Sequence, residues 1–286
     1  MVVQDRRGGA VTLAVACGTG LAVGLLATGC SPDGAAAEDQ APPGRGAAVS
    51  EVQRSADALV RAGTARVRTA METASGGTRV AIRGTGIYDF RTAGGRLRVV
   101  LPDPAGKPRE GHQPITEILA PGALYMKNRG AGVPADKWVR VATASLDDGN
   151  LVTGGVTDPL TAAELLRGAR KVTYRGAGRL GGARVRHYRG TTDIRTAARA
   201  ASPRSRPALV AAEKGFTTDM VPFDAYLDDA GRVRKVRERF QFANGAPQGA
   251  LVTSTTELSG FGVKARRVAL PERSAIYAGR IASATP

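Results

Sequence analysis

From Ala65 onward the apolar residues of this chain recur at every second position, and that period decides what it can fold into. Ala65, Val67, Thr69 and Met71 alternate with Arg66, Arg68, Ala70 and Glu72. Val80 and Ile82 alternate with Arg79, Ala81 and Arg83, and Leu97, Val99 and Leu101 follow Arg96 and Arg98. Residues two apart share one face of a strand. Further segments of β character are 114–119, 123–127, 137–143, 171–178, 183–192, 222–228, 232–243 and 249–258. Turn signals separate several of them: Ser75-Gly76-Gly77, Gly94-Gly95, Pro121-Gly122, Gly181-Gly182, Asp228-Asp229-Ala230-Gly231 and Asn244-Gly245. Short strands joined by hairpin-sized turns predict a large antiparallel sheet. One face is apolar and the other is rich in Arg and Thr, as for a sheet with one side in water.

Helical periodicity appears in three places. Ser50 and Gln53 have capping-box spacing, and Val52, Ser55, Ala56, Leu59 and Val60 follow as one stripe of small apolar side chains ending at Gly63. Glu51, Arg54, Asp57 and Arg61 take the opposite face. Asp158-Pro159 opens a second helix, with Asp as N-cap and Pro in the first turn. Residues 207–214 form a shorter candidate, and the Arg-, Ala- and Ser-rich stretch 195–206 before it is expected to be mobile. A helix, many strands and a pair of inserted helices give an α+β order.

The N-terminal segment carries a different message. Arg6 and Arg7 precede an apolar stretch that ends Leu25-Leu26-Ala27-Thr28-Gly29-Cys30. A basic start, an apolar middle and small residues at the exit describe a secretory signal. Its ending on Gly29-Cys30 resembles a bacterial lipoprotein signal, with Ala27 where that pattern usually has Leu. The resemblance implies removal of residues 1–29 and lipidation of Cys30. Residues 30–49, rich in Ser, Pro, Gly and Ala, hold few large apolar groups and read as a flexible tether. Residues 50–286 then make the folded domain. Six glycines among residues 8–29 argue against a spanning helix.

Composition narrows the function. Cys17 and Cys30 are the only cysteines, so the processed chain has no disulfide framework and no Cys-based metal site. His112 and His187 are far apart in sequence and have no Cys or second His near them. No metal and no cofactor are expected. Without residues 1–29 the chain keeps 39 basic and 24 acidic residues, a net charge of +15, and only seven of the basic residues are Lys. That charge fits attraction to anionic envelope polymers or phospholipid headgroups. It equally fits a genome of high GC content. An export signal argues against nucleic acid. No catalytic constellation stands out. Asp147-Asp148 and Asp228-Asp229 lie in turn-like sequence, and Glu238 is a lone strand carboxylate. Ser145, Ser254 and Ser274 lack a nucleophile-elbow context, and Gly176-Ala177-Gly178 and Gly181-Gly182 open no helix. The expectation is a protein that is not an enzyme.

Four pieces together carry a resemblance to a family. They are the opening helix before 65–73, the block Gly122-Ala-Leu-Tyr125-Met-Lys127 with Lys137-Trp138-Val139, the Asp158-Pro159-Leu160 helix, and the hairpin Phe223 to Val236. Behind a lipobox, residues 50–270 resemble the LolA-like/LppX-LprG superfamily of bacterial envelope lipoproteins. The resemblance implies a curved antiparallel half-barrel with helices over its concave face, enclosing an apolar pocket for an acyl lipid or glycolipid. The inward residues that would line it are Val52, Ala56, Leu59, Val67, Met71, Val80, Ile82, Leu97, Val99, Leu124, Met126 and Trp138. The same residues could instead close into a solid core. The chain would then be an envelope sensor or protein-interaction lipoprotein of the same fold, without lipid cargo.

Overall fold

In a computed structural model the chain is described over residues 43–75, 78–101, 113–129, 132–152, 157–242 and 250–279. Cys30, His112 and most of the expected tether lie outside the described residues. Eleven strands form one sheet: β1 (Thr64–Ser75), β2 (Thr78–Asp89), β3 (Gly94–Val100), β4 (Ile115–Ala120), β5 (Ala123–Lys127), β6 (Trp138–Ala142), β7 (Ala169–Leu180), β8 (Ala183–Asp193), β9 (Met220–Leu227), β10 (Val233–Phe242) and β11 (Ala250–Ser259). The order is β6-β5-β4-β3-β2-β1-β11-β10-β9-β8-β7, and every pairing is antiparallel. The sheet is open, with β6 and β7 at its edges, and forms a curved half-barrel with helices on one face. The eleven strands pair as two runs of consecutive neighbours, β1 to β6 and β7 to β11. The β1–β11 pair, which sets Thr69 opposite Thr256 and Met71 opposite Ser254, joins the runs at the centre.

The period-two pattern sets the register. Along β3 the odd members Leu97 and Val99 are buried and Arg96, Arg98 and Val100 are exposed. A one-residue slip would invert that partition, so the inward set holds the pairing in place.

The helical layer departs from expectation at two places. The first helix begins at Arg45, not Ser50. α1 (Arg45–Gln53) is capped by Gly44, a break follows at Arg54, and α2 (Ser55–Ala62) continues to Gly63. Ser50 sits inside a helix, where its carbonyl accepts the Arg54 N–H, and Gln53 Nε2 donates to the Ala169 carbonyl at 3.1 Å. The reason is packing: Ala48 is buried and extends the stripe of Val52, Ala56 and Leu59 by one turn. Residues 45–49, expected in the tether, are thus helical and open α1. Gly63 ends α2 at φ +82°, a conformation that L side chains seldom adopt.

The second departure is residues 195–206. α4 (Ile194–Ala200) occupies most of that stretch, and Asp193 caps it by accepting the Thr196 N–H at 2.7 Å. Ile194, Ala197, Ala198 and Ala201 are buried as a narrow helical stripe, while Arg195 and Arg199 face outward. α3 (Pro159–Leu165) and α5 (Arg206–Gly215) match expectation, and Asp158 caps α3 through the Thr161 N–H at 2.8 Å. Arg167 ties the layer together, bonding Asp57 of α2 at 2.6 Å and also Glu164 of α3.

Candidate functional site

The helices cover the concave face, and the core between them and the sheet divides into two clusters. The larger holds Val52, Ala56 and Leu59 of α1–α2 against Val67, Leu97, Val99, Leu124, Met126, Val236 and Leu258. The other packs α4, α5 and Leu165 against Met71, Phe240, Val252 and Val221. Ile82, half-buried, touches both.

Between the clusters run two rows of polar side chains. Strand register places Val236, Thr256 and Thr69 in one row, and Glu238, Ser254 and Met71 in the next. Thr69, Thr256, Ser254 and Glu238 are all buried. Ser254 is satisfied: its hydroxyl lies 2.6 Å from Thr157 Oγ1, and Thr157 donates its own proton to the Leu151 carbonyl at 2.8 Å. Among the described residues, Thr69 Oγ1, Thr256 Oγ1 and Glu238 Oε1 have no hydrogen-bond partner. Leaving a buried polar group unsatisfied costs roughly 1–3 kcal/mol. These three atoms stand in two adjacent rows between the two apolar clusters.

Burial alone pushes the Glu238 carboxyl up to about 8. Glu117 stands further along the same face, opposite Met126 and Leu97. Neither of its oxygens has a hydrogen-bond partner among the described residues, and burial outweighs the attraction of Arg129 to push it up to about 8. Both acids are therefore protonated at neutral pH in this packing and can donate as well as accept. A third buried acid, Asp158, is raised by burial against the hydrogen bonds it accepts, one of them from Tyr88 at 2.9 Å. Tyr88 and Asp158 border a cavity of ≈ 30 Å³, room for one or two waters.

Of the residues expected to line a pocket, Val52, Ala56, Leu59, Val67, Leu97, Val99, Leu124 and Met126 meet in the larger cluster and Met71 in the other. They are packed against neighbours. Val80 shares their face but stands at the rim, 43% exposed. Trp138 is a correction. It packs with Ile118, Tyr125, Val268 and Ile276 on the opposite, outer face, because residues beyond β11 cross that side and cover it. In β4 and β5 both faces are buried for this reason, so alternation could not show which side Trp138 takes.

His187 lies on β8, stacked on Tyr226 with ring centroids 4.3 Å apart, its Nε2 2.8 Å from Asp224 Oδ1. Asp224 also binds Arg189 at 2.8 Å and Arg239 at 3.2 Å, and these hydrogen bonds outweigh burial and hold it below its ordinary range. The arrangement is a cross-strand ion cluster. Among the described residues no group of His, Cys, Asp and Glu is placed to hold a metal. Among them, too, no helix is long and apolar enough to cross a membrane.

No family model matches the chain, and no curated protein matches it. Among solved structures it is similar to the lipoprotein LppX of Mycobacterium tuberculosis, with 9% identity, a TM-score of 0.46, and coverage of 78% of this chain and 99% of that one. It is similar to LprF from Mycobacterium bovis at 13% identity and a TM-score of 0.42, covering 81% of this chain and 98% of that one. A putative outer membrane lipoprotein-sorting protein domain from Vibrio parahaemolyticus has 9% identity and a TM-score of 0.31, with 76% and 93% covered. LppX is one of the names in the superfamily that the sequence resembles. Likeness at this level carries no functional argument, so function rests on this chain's own residues.

Proposed function

We propose that this chain is a lipoprotein outside the cytoplasm, anchored through Cys30, that binds or carries an acylated envelope molecule, a lipid or glycolipid, between its sheet and its helices. The observation that carries the reading is the polar seam. An apolar core made only to be solid gains nothing from unpartnered hydroxyls and a protonated carboxyl in two adjacent rows. A ligand with acyl chains and an ester or hydroxyl group would spread the two apolar clusters and satisfy Thr69, Thr256 and Glu238. Each methylene buried there contributes about 0.8 kcal/mol. The same account assigns no catalytic step to any residue.

The second reading is a sensor or interaction protein of the same fold without cargo. The close packing of α1–α2 on the sheet favours it. Mass spectrometry of the full chain, purified from a native-like host, separates the two. The carrier reading expects a covalent acyl mass on Cys30 and, in the organic extract, a further acylated molecule near one per protein. A bare Cys30 removes the anchor, and an empty extract leaves the interaction protein.

A further inference from the structure

The outer face of the sheet carries a covered cleft. Beyond β11 the chain crosses this face as a strap fixed at both ends. At the near end Gly262 donates to the Thr64 carbonyl at 2.9 Å, and Thr64 Oγ1 donates to the Val263 carbonyl at 2.6 Å. Phe261 lies under the Arg232 guanidinium, 4.4 Å away. At the far end the Tyr277 N–H donates to the Trp138 carbonyl at 2.8 Å, and Lys137 Nζ donates to the Ser274 carbonyl at 3.0 Å. Between these fixings, residues 264–270 roof a cleft of ≈ 970 Å³ over β2, β3 and the β4–β5 turn. That volume is at the upper end of the about 300–1,000 Å³ usual for small-molecule sites.

The lining has two characters. Ile87 and Pro121 below, and Val268 and Leu270 above, make an apolar channel. Arg96, Lys264, Arg266 and Arg267 bring four cations to it. The side chains of all four are exposed and have no ion-pair or hydrogen-bond partner among the described residues. Asp89 is the one carboxylate in the lining, and its Oδ1 already accepts the backbone N–H of Arg91 at 2.9 Å. Leu270, at 53% exposed, is the most exposed large apolar residue described.

We propose that this cleft binds a single-chain anionic amphiphile, with the acyl chain in the channel and the anionic head among Arg96, Lys264, Arg266 and Arg267. Charge complementarity selects the head. Guanidinium forks match phosphate or carboxylate oxygens in pairs, and four unpaired cations beside one engaged carboxylate leave a net positive rim. The apolar walls select the chain, since a free phosphate would leave Ile87, Val268 and Leu270 uncovered. This site faces away from the polar seam and stands whether or not the seam takes cargo.

Photocrosslinking tests it on the full chain in membranes of the producing host, with a diazirine-bearing lysophosphatidic acid as probe. Adducts are expected on residues 264–270 and near Ile87 and Pro121. They should fall on the order of tenfold, the equivalent of 1.4 kcal/mol, in the Arg96→Gln, Arg266→Gln, Arg267→Gln triple variant. Its melting temperature should match the parent's, and Arg266→Gln alone should move adducts the same way. Equal labelling by a matched neutral monoacylglycerol would overturn the role of charge. Displacement by inorganic phosphate alone would overturn the amphiphile. Adducts confined to the concave face would place the lipid at the seam and remove this site, whereas an empty organic extract beside strap adducts would remove the seam cargo only.

Discussion

Replacing Glu238 by Gln is expected to stabilise the protein at pH 8 and to flatten the dependence of its stability on pH. Burial raises this carboxyl from its ordinary 4.5 to about 8, so the folded chain keeps a proton that the unfolded chain releases. Stability from this group is fully present below pH 4.5 and is lost as pH rises through about 8. The gap between those values corresponds to roughly 5 kcal/mol at its full extent. Gln keeps the shape and never ionises. Parent and variant should therefore coincide near pH 4.5 and diverge upward. Glu117, also raised to about 8, gives the same sign, so the single variant keeps part of the slope and the Glu117→Gln, Glu238→Gln pair removes more. Asp57 and Asp224, held low by arginines, act in the opposite sense in a different window, below their ordinary carboxylate range. Urea titrations at several pH values read the effect. Parallel profiles for parent and Glu238→Gln would show that the seam is wet and that Glu238 ionises freely.

Phe240→Ala is expected to be the most destabilising single truncation on the concave face. Phe240 is fully buried on β10 and stacks on Phe216 with centroids 4.9 Å apart, at the centre of the cluster that holds α4 and α5. Loss of such a ring costs about 3–5 kcal/mol, through lost burial and the cavity left behind. In a domain of this size each kcal/mol moves the melting temperature by roughly 2–4 °C, so a drop of about 10 °C is expected. Leu251→Ala on the neighbouring strand is the control, because Leu251 is 50% exposed and its truncation should stay within about 0.5 kcal/mol. A Phe240→Ala protein as stable as the control would mean that α4–α5 do not rest on the sheet as described.

Much of this architecture is legible in the chain because two periods are written plainly in it. β3 shows its alternation plainly, and the turns at Gly94-Gly95, Pro121-Gly122 and Gly181-Gly182 make several strand limits nearly visible. Asp158-Pro159 announces α3 for the same local reason. Legibility stops where long-range contacts decide. α4 hides because its stripe is built mainly of alanines, whose burial depends on the sheet beneath. Trp138 hides because the residues that cover it, Val268 and Ile276, are more than a hundred positions away. The seam hides most completely. Thr69, Glu238 and Thr256 are ordinary strand residues until the β1–β11 pairing sets the first strand of one run against the last strand of the other. Nothing local distinguishes Glu238 from the solvent-facing Glu257 one strand over.

The seam is the centre of the functional account, and one comparison tests it most directly. Thr69→Val with Thr256→Val preserves shape and deletes the two unpartnered hydroxyls. Removing unsatisfied buried groups should leave the melting temperature unchanged or higher. If those hydroxyls meet the polar part of a bound acyl lipid, the lipid recovered per protein should fall on the order of tenfold relative to the parent, the loss of roughly one good hydrogen bond. A stable variant with depleted lipid is the predicted result. Equal lipid in variant and parent, or a parent that yields none, would contradict a cargo site along the seam.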